Sequence, residues 1–162
     1  MTKRYWEEIE IGEEFSSPSR TITEADIVMF GALTGDFMGF HMDEEFARTT
    51  IYGGRIAHGL LGLAYMGGLE MQAHFDIASM GTLGWSVDFR APIRIGDTVT
   101  ARFTVASKRE TSKPDRGIIA LKAQLFNQRN ELLQDAEHRR MVKRRPIEPS
   151  ASSVESAMQA TP

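Results

Sequence analysis

The chain has 162 residues and 41% hydrophobic content, enough for one well-buried core and short for two. Its 19 Lys+Arg against 22 Asp+Glu give a formal charge of −3 with no dominant basic face, which argues against a nucleic-acid binder and toward a small-molecule ligand. With no cysteine, disulfides, thiolate nucleophiles and Cys-type metal sites are excluded.

The N-terminus, Met1 to Glu8, turns acidic and aromatic where a signal peptide needs an apolar run, and no stretch approaches the roughly 20 apolar residues of a membrane span. The expectation is a soluble, cytoplasmic protein. Thr23-Glu24-Ala25-Asp26 reads as an N-cap followed by an acidic first turn, and Ile27, Phe30, Ala32 and Leu33 supply an apolar face for a helix that stops at Gly35. Asp43 can cap a second, short helix reaching Thr49. From about Ala57 to Phe75 the sequence is apolar nearly all round, which predicts a long helix buried on most sides.

Beyond Gly81 the period becomes two. Strands are predicted over 83–90, 98–105 and 118–126, with turns at Gly96-Asp97 and at 113–117, and a last one over 132–142 whose alternation is broken by Asp135, Glu137 and His138. An antiparallel meander that must bury an apolar helix on one face gives an α+β layer architecture, for which a hot dog fold is one candidate. The domain is expected over 1–145. From Pro146 to Pro162 the composition turns to Pro, Ser, Ala and Glu, read as a flexible tail.

Ionisable groups gather between Leu33 and Gly59, at glycine-punctuated turns beside apolar helical segments. Asp36 and His41 flank Phe37-Met38-Gly39-Phe40, and spacing leaves two readings open: Asp36 closes its own turn with His41 a surface loop residue, or both hold one water. A carboxylate and an imidazole sharing a water can remove and return a proton near neutral pH, which suits addition or elimination of water. Gly59 opens the long helix, so its N–H lies among the unpaired donors at the positive end of the helix dipole, suited to an enolate oxygen. For His58 a hydrogen bond to neighbouring backbone is expected in preference to direct catalysis, and His74 is placed near the helix C-terminus, where the dipole favours a cation. A divalent metal on Asp36, His41 and Asp43 is not expected, because the last two do not converge on a helix and no second carboxylate–histidine cluster completes a site.

The segments Ala32-Leu33-Thr34-Gly35-Asp36-Phe37-Met38-Gly39-Phe40-His41-Met42-Asp43 and Tyr52-Gly53-Gly54-Arg55-Ile56-Ala57-His58-Gly59-Leu60-Leu61 resemble the MaoC-type (R)-specific enoyl-CoA hydratase/dehydratase family. The likeness continues through Phe89-Arg90-Ala91-Pro92 and Ile95-Gly96-Asp97, covering roughly residues 5–143. It implies a hot dog fold with the central helix wrapped by an antiparallel sheet, and a homodimer with active sites near the subunit interface. It also implies that Asp36 and His41 hold the water added across an enoyl thioester, that the Gly59 amide binds the thioester oxygen, and that no metal or redox cofactor is needed, coenzyme A being part of the substrate. Gly54, Arg55, His58 and Arg90 are the expected substrate-binding residues, with Arg94 and Arg116 as further candidate cations for the carrier's phosphates.

Two departures stand out. The family motif reads Asp-x-Asn-Pro-Leu-His, whereas Met38 cannot hydrogen-bond like asparagine and Gly39 replaces a loop-stiffening proline. A helix position often occupied by serine falls at Gly67, so the acyl pocket should differ from that of simple straight-chain enzymes. The rival readings are a thioesterase of the same fold, which would activate water on the thioester carbonyl, and a non-catalytic acyl-thioester-binding protein with an altered loop.

Overall fold

A computed structural model describes residues 3–146, so the tail expected over 146–162 lies almost wholly outside the described residues. Helix α1 (Glu24–Thr34) starts at Thr23, which shares a reciprocal capping box with Asp26, and ends at Gly35 in the left-handed region at φ 78°, as the sequence predicts. A four-residue turn, α2 (Gly39–Met42), precedes α3 (Glu44–Arg48), which Asp43 caps by accepting from the Phe46 N–H at 3.0 Å.

The central helix α4 (Gly59–Glu70) has 12 residues and is shorter than the predicted 57–75. Upstream, the Ala57 N–H is tied to the Ile93 carbonyl at 2.8 Å, which holds that residue extended. Downstream, Gln72 and Ala73 donate three residues back in tight turns and His74 takes φ 55°, so His74 lies beyond the helix end. Phe75 leaves to stack on Phe15, with ring centroids 4.1 Å apart.

The strands are β1 (Glu14–Ser16), β2 (Arg20–Thr21), β3 (Ser79–Phe89), β4 (Thr98–Glu110), β5 (Arg116–Phe126) and β6 (Leu132–Lys143), in one six-stranded sheet ordered β1-β4-β5-β6-β3 with β2 also on β4. The pairings are antiparallel, and β3 is an edge strand. β1 and β2, of three and two residues, are too short to leave a period-two signal in the sequence.

The sheet wraps α4, whose Leu61, Met66 and Leu69 are buried against Val99, Ala101, Phe103, Leu125 and Leu133. Each such fully buried side chain contributes on the order of 1.5–3 kcal/mol. Close approach is needed at Gly62, where a Cβ would meet Ile93 Cδ1 at 2.4 Å and Gln134 Nε2 at 2.5 Å. A second cluster of Ile9, Ile77, Val105, Ile119, Leu121 and Val142 fills the other end, closed by Trp6, whose indole N–H donates to the Ile118 carbonyl at 3.1 Å. Among the described residues no helix is long and apolar enough to cross a membrane.

Candidate active site

The turns after α1 and before α4 bring Asp36, His41 and His58 together, with one candidate ligand atom from each lying within 4.8 Å of the others. Of the first loop reading the turn holds, but the surface placement of His41 does not, since His41 is buried. Asp36 does close its turn, one carboxylate oxygen facing the Met38 N–H at 3.3 Å, yet the side chain remains 43% exposed and its other oxygen lies 4.0 Å from His58 Nε2.

His41 is 5% exposed and held by the Ile56 carbonyl, 2.8 Å from Nδ1. A carbonyl only accepts, so the proton sits on Nδ1 and Nε2 keeps a free lone pair. Burial holds the pKa of His41 below its ordinary value, and nearby His58 works in the same direction; the Ile56 hydrogen bond and the Asp36 charge oppose them. His41 is therefore a neutral imidazole at pH 7, in the form required of a base.

His58 caps α4 and is 2% exposed, its Nε2–H donating to the Asp36 backbone carbonyl at 2.9 Å, the kind of bond expected for it from sequence. It thereby fixes the carboxylate-bearing turn. That donation leaves His58 Nδ1 as a buried nitrogen with no partner among the described residues. Asp43, the third residue weighed for a metal, is occupied as the cap of α3.

Gly59 begins α4, and its N–H donates to no group among the described residues. Its carbonyl accepts from Gln134 Nε2 at 2.7 Å, so a buried residue of β6 pins the first turn of the helix. A Cβ at Gly59 would meet the Phe89 ring at 2.7 Å. Asp36, His41, His58, Gly59 and Arg90 all line one cavity of about 470 Å³, the size of a small-molecule site.

Gly54 and Arg55 do not line that cavity: Arg55 is engaged by Glu24 at 2.9 Å and Glu44 at 3.3 Å. Arg90 pairs with Asp88 at 2.8 Å, Arg116 with Asp115 at 2.7 Å, and Arg94 donates to the Tyr52 carbonyl. Gln134, Phe89, Phe40 and Tyr52 are cavity residues that sequence reasoning missed. Gln134 left a signal, a polar residue at an apolar-phase position of β6.

The departures at Met38 and Gly39 have a physical context. A Cβ at Gly39 would lie 2.5 Å from the Phe46 ring, so packing by Phe46 supplies order that a proline would otherwise give. Met38 is exposed and contributes no side-chain cap to α2.

Comparison with known proteins gives the same assignment: the MaoC like domain family matches residues 7–124. The chain is 39% identical over 110 residues to the (R)-specific enoyl-CoA hydratase of Rhodospirillum rubrum, a match covering 62% of this chain and 69% of that protein. It is also 39% identical over 116 residues to Protein MaoC of Klebsiella aerogenes, covering 70% of this chain but only 33% of that longer protein. A MaoC-like dehydratase structure from Rhodospirillum rubrum superposes with a TM-score of 0.81 at 29% identity, covering 89% of this chain and 99% of that one. The chain belongs to the MaoC-like domain family, and its sheet-wrapped helix is the hot dog fold.

Proposed function

We propose that this protein is an enoyl-CoA hydratase/dehydratase, adding or removing water across the α,β double bond of an acyl thioester. The observation that carries the reading is the convergence of Asp36 and His41 on one point beside the unpaired Gly59 N–H. Ligand atoms no more than 4.8 Å apart can be bridged by one water, since two hydrogen bonds of about 2.8 Å span as much as roughly 5.6 Å.

In the hydration direction Asp36 accepts one O–H of that water and His41 Nε2 accepts the other. The water oxygen bonds to the β-carbon as its proton passes to Nε2, and the π pair moves through the α-carbon onto the thioester oxygen. Gly59 N–H, at the positive end of α4, stabilises that oxyanion more than the neutral carbonyl before it, the condition for lowering the barrier. The imidazolium then returns its proton to the α-carbon, so one water is consumed and His41 is regenerated.

The hydratase and dehydratase names of the relatives support this reading. The unpaired outer edge of β3, with Leu60, Leu83 and Phe89 exposed, supports a homodimer in which two sheets join. Incubation with crotonyl-CoA tests the activity: 3-hydroxybutyryl-CoA is expected, whereas release of free CoA would indicate a thioesterase and unchanged substrate a binding protein.

A further inference from the structure

Arg55, expected from the sequence to bind substrate, is committed elsewhere, and its partners lie on both flanks of the loop that carries Asp36 and His41. Its Nη2 donates to Glu24, the first residue of α1, at 2.9 Å. Its Nε and its backbone N–H both donate to Oε2 of Glu44, the first residue of α3, at 3.3 and 3.2 Å. The other oxygen of Glu44 takes Arg48 Nε at 3.2 Å. α1 delivers Asp36 just past its C-terminus, and α3 follows directly on α2, which carries His41. One guanidinium therefore joins the helix before Asp36 to the helix after His41.

The next residue completes the clamp. Ile56 donates its N–H to the Phe40 carbonyl at 3.0 Å and accepts from His41 Nδ1 at 2.8 Å, so it grips two consecutive residues of α2. The same segment is fixed to the body of the fold, Ile56 in a bridge with Arg94 and the Ala57 N–H on the Ile93 carbonyl. α2 and α3 bury little of their own, His41 in one and Ala47 in the other. Elements with so few buried apolar contacts open easily unless polar ties hold them, and here those ties run to Arg55 and Ile56.

We infer that Arg55 is a positioning residue of the active site: by bridging Glu24 and Glu44 it holds α1 and α3 at the separation that brings Asp36 and His41 onto one water, and it aligns the Ile56 carbonyl that keeps the proton on His41 Nδ1. The inference rests on the hydratase reading above. The stability at stake is small, since Glu24 and Glu44 are 60% and 41% exposed and exposed ion pairs contribute little. The geometry at stake matters more, because a misplacement of about 1 Å can cost on the order of 10²-fold in rate. Arg55 is also ill suited to a phosphate. Its fork is shared between two carboxylates, and Glu45 adds a third beside Arg48, so the site presents no excess positive charge to an anionic carrier. Lysine is no substitute here, because an ammonium lacks the planar fork that reaches two carboxylates at once.

The test compares the wild type, Arg55→Gln, Arg55→Lys and Glu44→Gln on crotonyl-CoA and on crotonyl-pantetheine, which lacks the nucleotide phosphates of the carrier. Arg55→Gln should lower kcat/KM at least about tenfold, by the same factor on both thioesters and through kcat rather than KM. Arg55→Lys should not restore it, although a lysine would still serve a phosphate as a point charge. Glu44→Gln is nearly isosteric, so it keeps the fold should Arg55→Gln lose it. It should lose activity in the same way, although removing a negative charge would help a phosphate bind. Proton–nitrogen correlation spectra of the imidazoles, which distinguish the two tautomers, should show His41 as the Nδ1–H form in the wild type and as a mixture in the variants. A loss confined to crotonyl-CoA, kcat/KM within about threefold of the wild type in any folded variant, or an unchanged His41 tautomer in a folded variant overturns the inference and leaves the hydratase reading standing. Absence of turnover of both thioesters by the wild type instead overturns the hydratase reading, and this inference with it.

Discussion

The imidazole rings of His41 and His58 stack with centroids 3.8 Å apart and planes inclined by 26°. Each ring is oriented by a backbone carbonyl, Ile56 for His41 and Asp36 for His58, so the two are fixed by different loops. His58 thus links the turn that carries Asp36 to the ring of His41, and in the proposed reaction it is a positioning residue. His41→Gln and Asp36→Asn should each lower kcat/KM for crotonyl-CoA by about 10²–10⁴-fold, the usual loss on removing a general acid or base. Both variants should retain a cooperative thermal transition. Activity within a few-fold of the wild type in either would remove that residue from the mechanism.

The pH profile follows from the direction of the His41 shift. If His41 is the base, catalysis needs its neutral imidazole, and burial lowers its pKa from the ordinary 6.5, so the acid limb of kcat/KM for the free enzyme should have its midpoint below 6.5. Stability should change with pH in the same sense. An unfolded chain protonates this histidine near 6.5 and the folded one only at lower pH, so acidification from there favours unfolding. Denaturant titrations of the wild type and His41→Gln between pH 5 and 8 should converge as pH falls, because the variant lacks this penalty. An acid limb centred above 6.5 would contradict the assignment of His41 as the base.

The loop between Asp36 and His41 gives a packing prediction. A Cβ at position 39 would lie 2.5 Å from the Phe46 ring, so Gly39→Ala forces that ring or α2 to move. Overpacking of this kind typically costs about 1–3 kcal/mol. Here it should also reduce kcat, because α2 carries His41. Adding Phe46→Ala should restore activity at least in part, and a double variant no better than Gly39→Ala alone would show that the Phe46 contact is not what orders the loop.

Much of this fold was legible because local chemistry and tertiary packing agree. The Thr23 cap, the Gly35 stop and the Asp43 cap stand where composition put them, since each satisfies backbone groups within its own few residues. Apolar residues continue past both ends of α4, so the pattern predicts a longer helix than the structure has; tertiary bonds, such as Ala57 to the Ile93 carbonyl, decide where helix gives way. In β6 the poor alternation had a physical cause. Gln134, His138 and Arg140 occupy inward positions, and their partners, Gly59 and Glu70, lie far away in sequence. The spacing of Asp36 and His41 showed that they could meet, but the third member of the cluster, His58, arrives through the return of the chain to α4, which no local pattern encodes.

The Gln134 contact therefore offers a test of helix positioning apart from acid–base chemistry. Its Nε2 donates to the Gly59 carbonyl while its Oε1 is buried with no partner among the described residues. Gln134→Leu keeps the volume approximately and removes the anchor of the first turn of α4. If Gly59 N–H stabilises the oxyanion, kcat should fall by about tenfold or more while the acid limb of the pH profile stays in place, since His41 is untouched. An unchanged kcat would indicate that the first turn of α4 needs no anchor on β6.

On the outer side of α4, Tyr65 donates its hydroxyl to Asp26, and Arg20 pairs with the same carboxylate at 3.1 Å while lying over the Tyr65 ring. Burial opposes ionisation of Asp26, but hydrogen bonds from Tyr65, Thr23 and Arg20 outweigh it and lower its pKa to about 2, while burial and the bond to Asp26 raise that of Tyr65 to about 12. The stabilisation from ionised Asp26 is present above its unfolded value of 3.8 and fades as pH falls toward about 2. That from the neutral phenol is present below 10.0 and fades as pH rises toward about 12. Tyr65→Phe should cost about 1 kcal/mol at pH 7, a value discounted for the exposure of Arg20. In urea titrations the gap between variant and wild type should narrow at both pH extremes, whereas a constant gap across the range would mean that Tyr65 contributes through its ring alone.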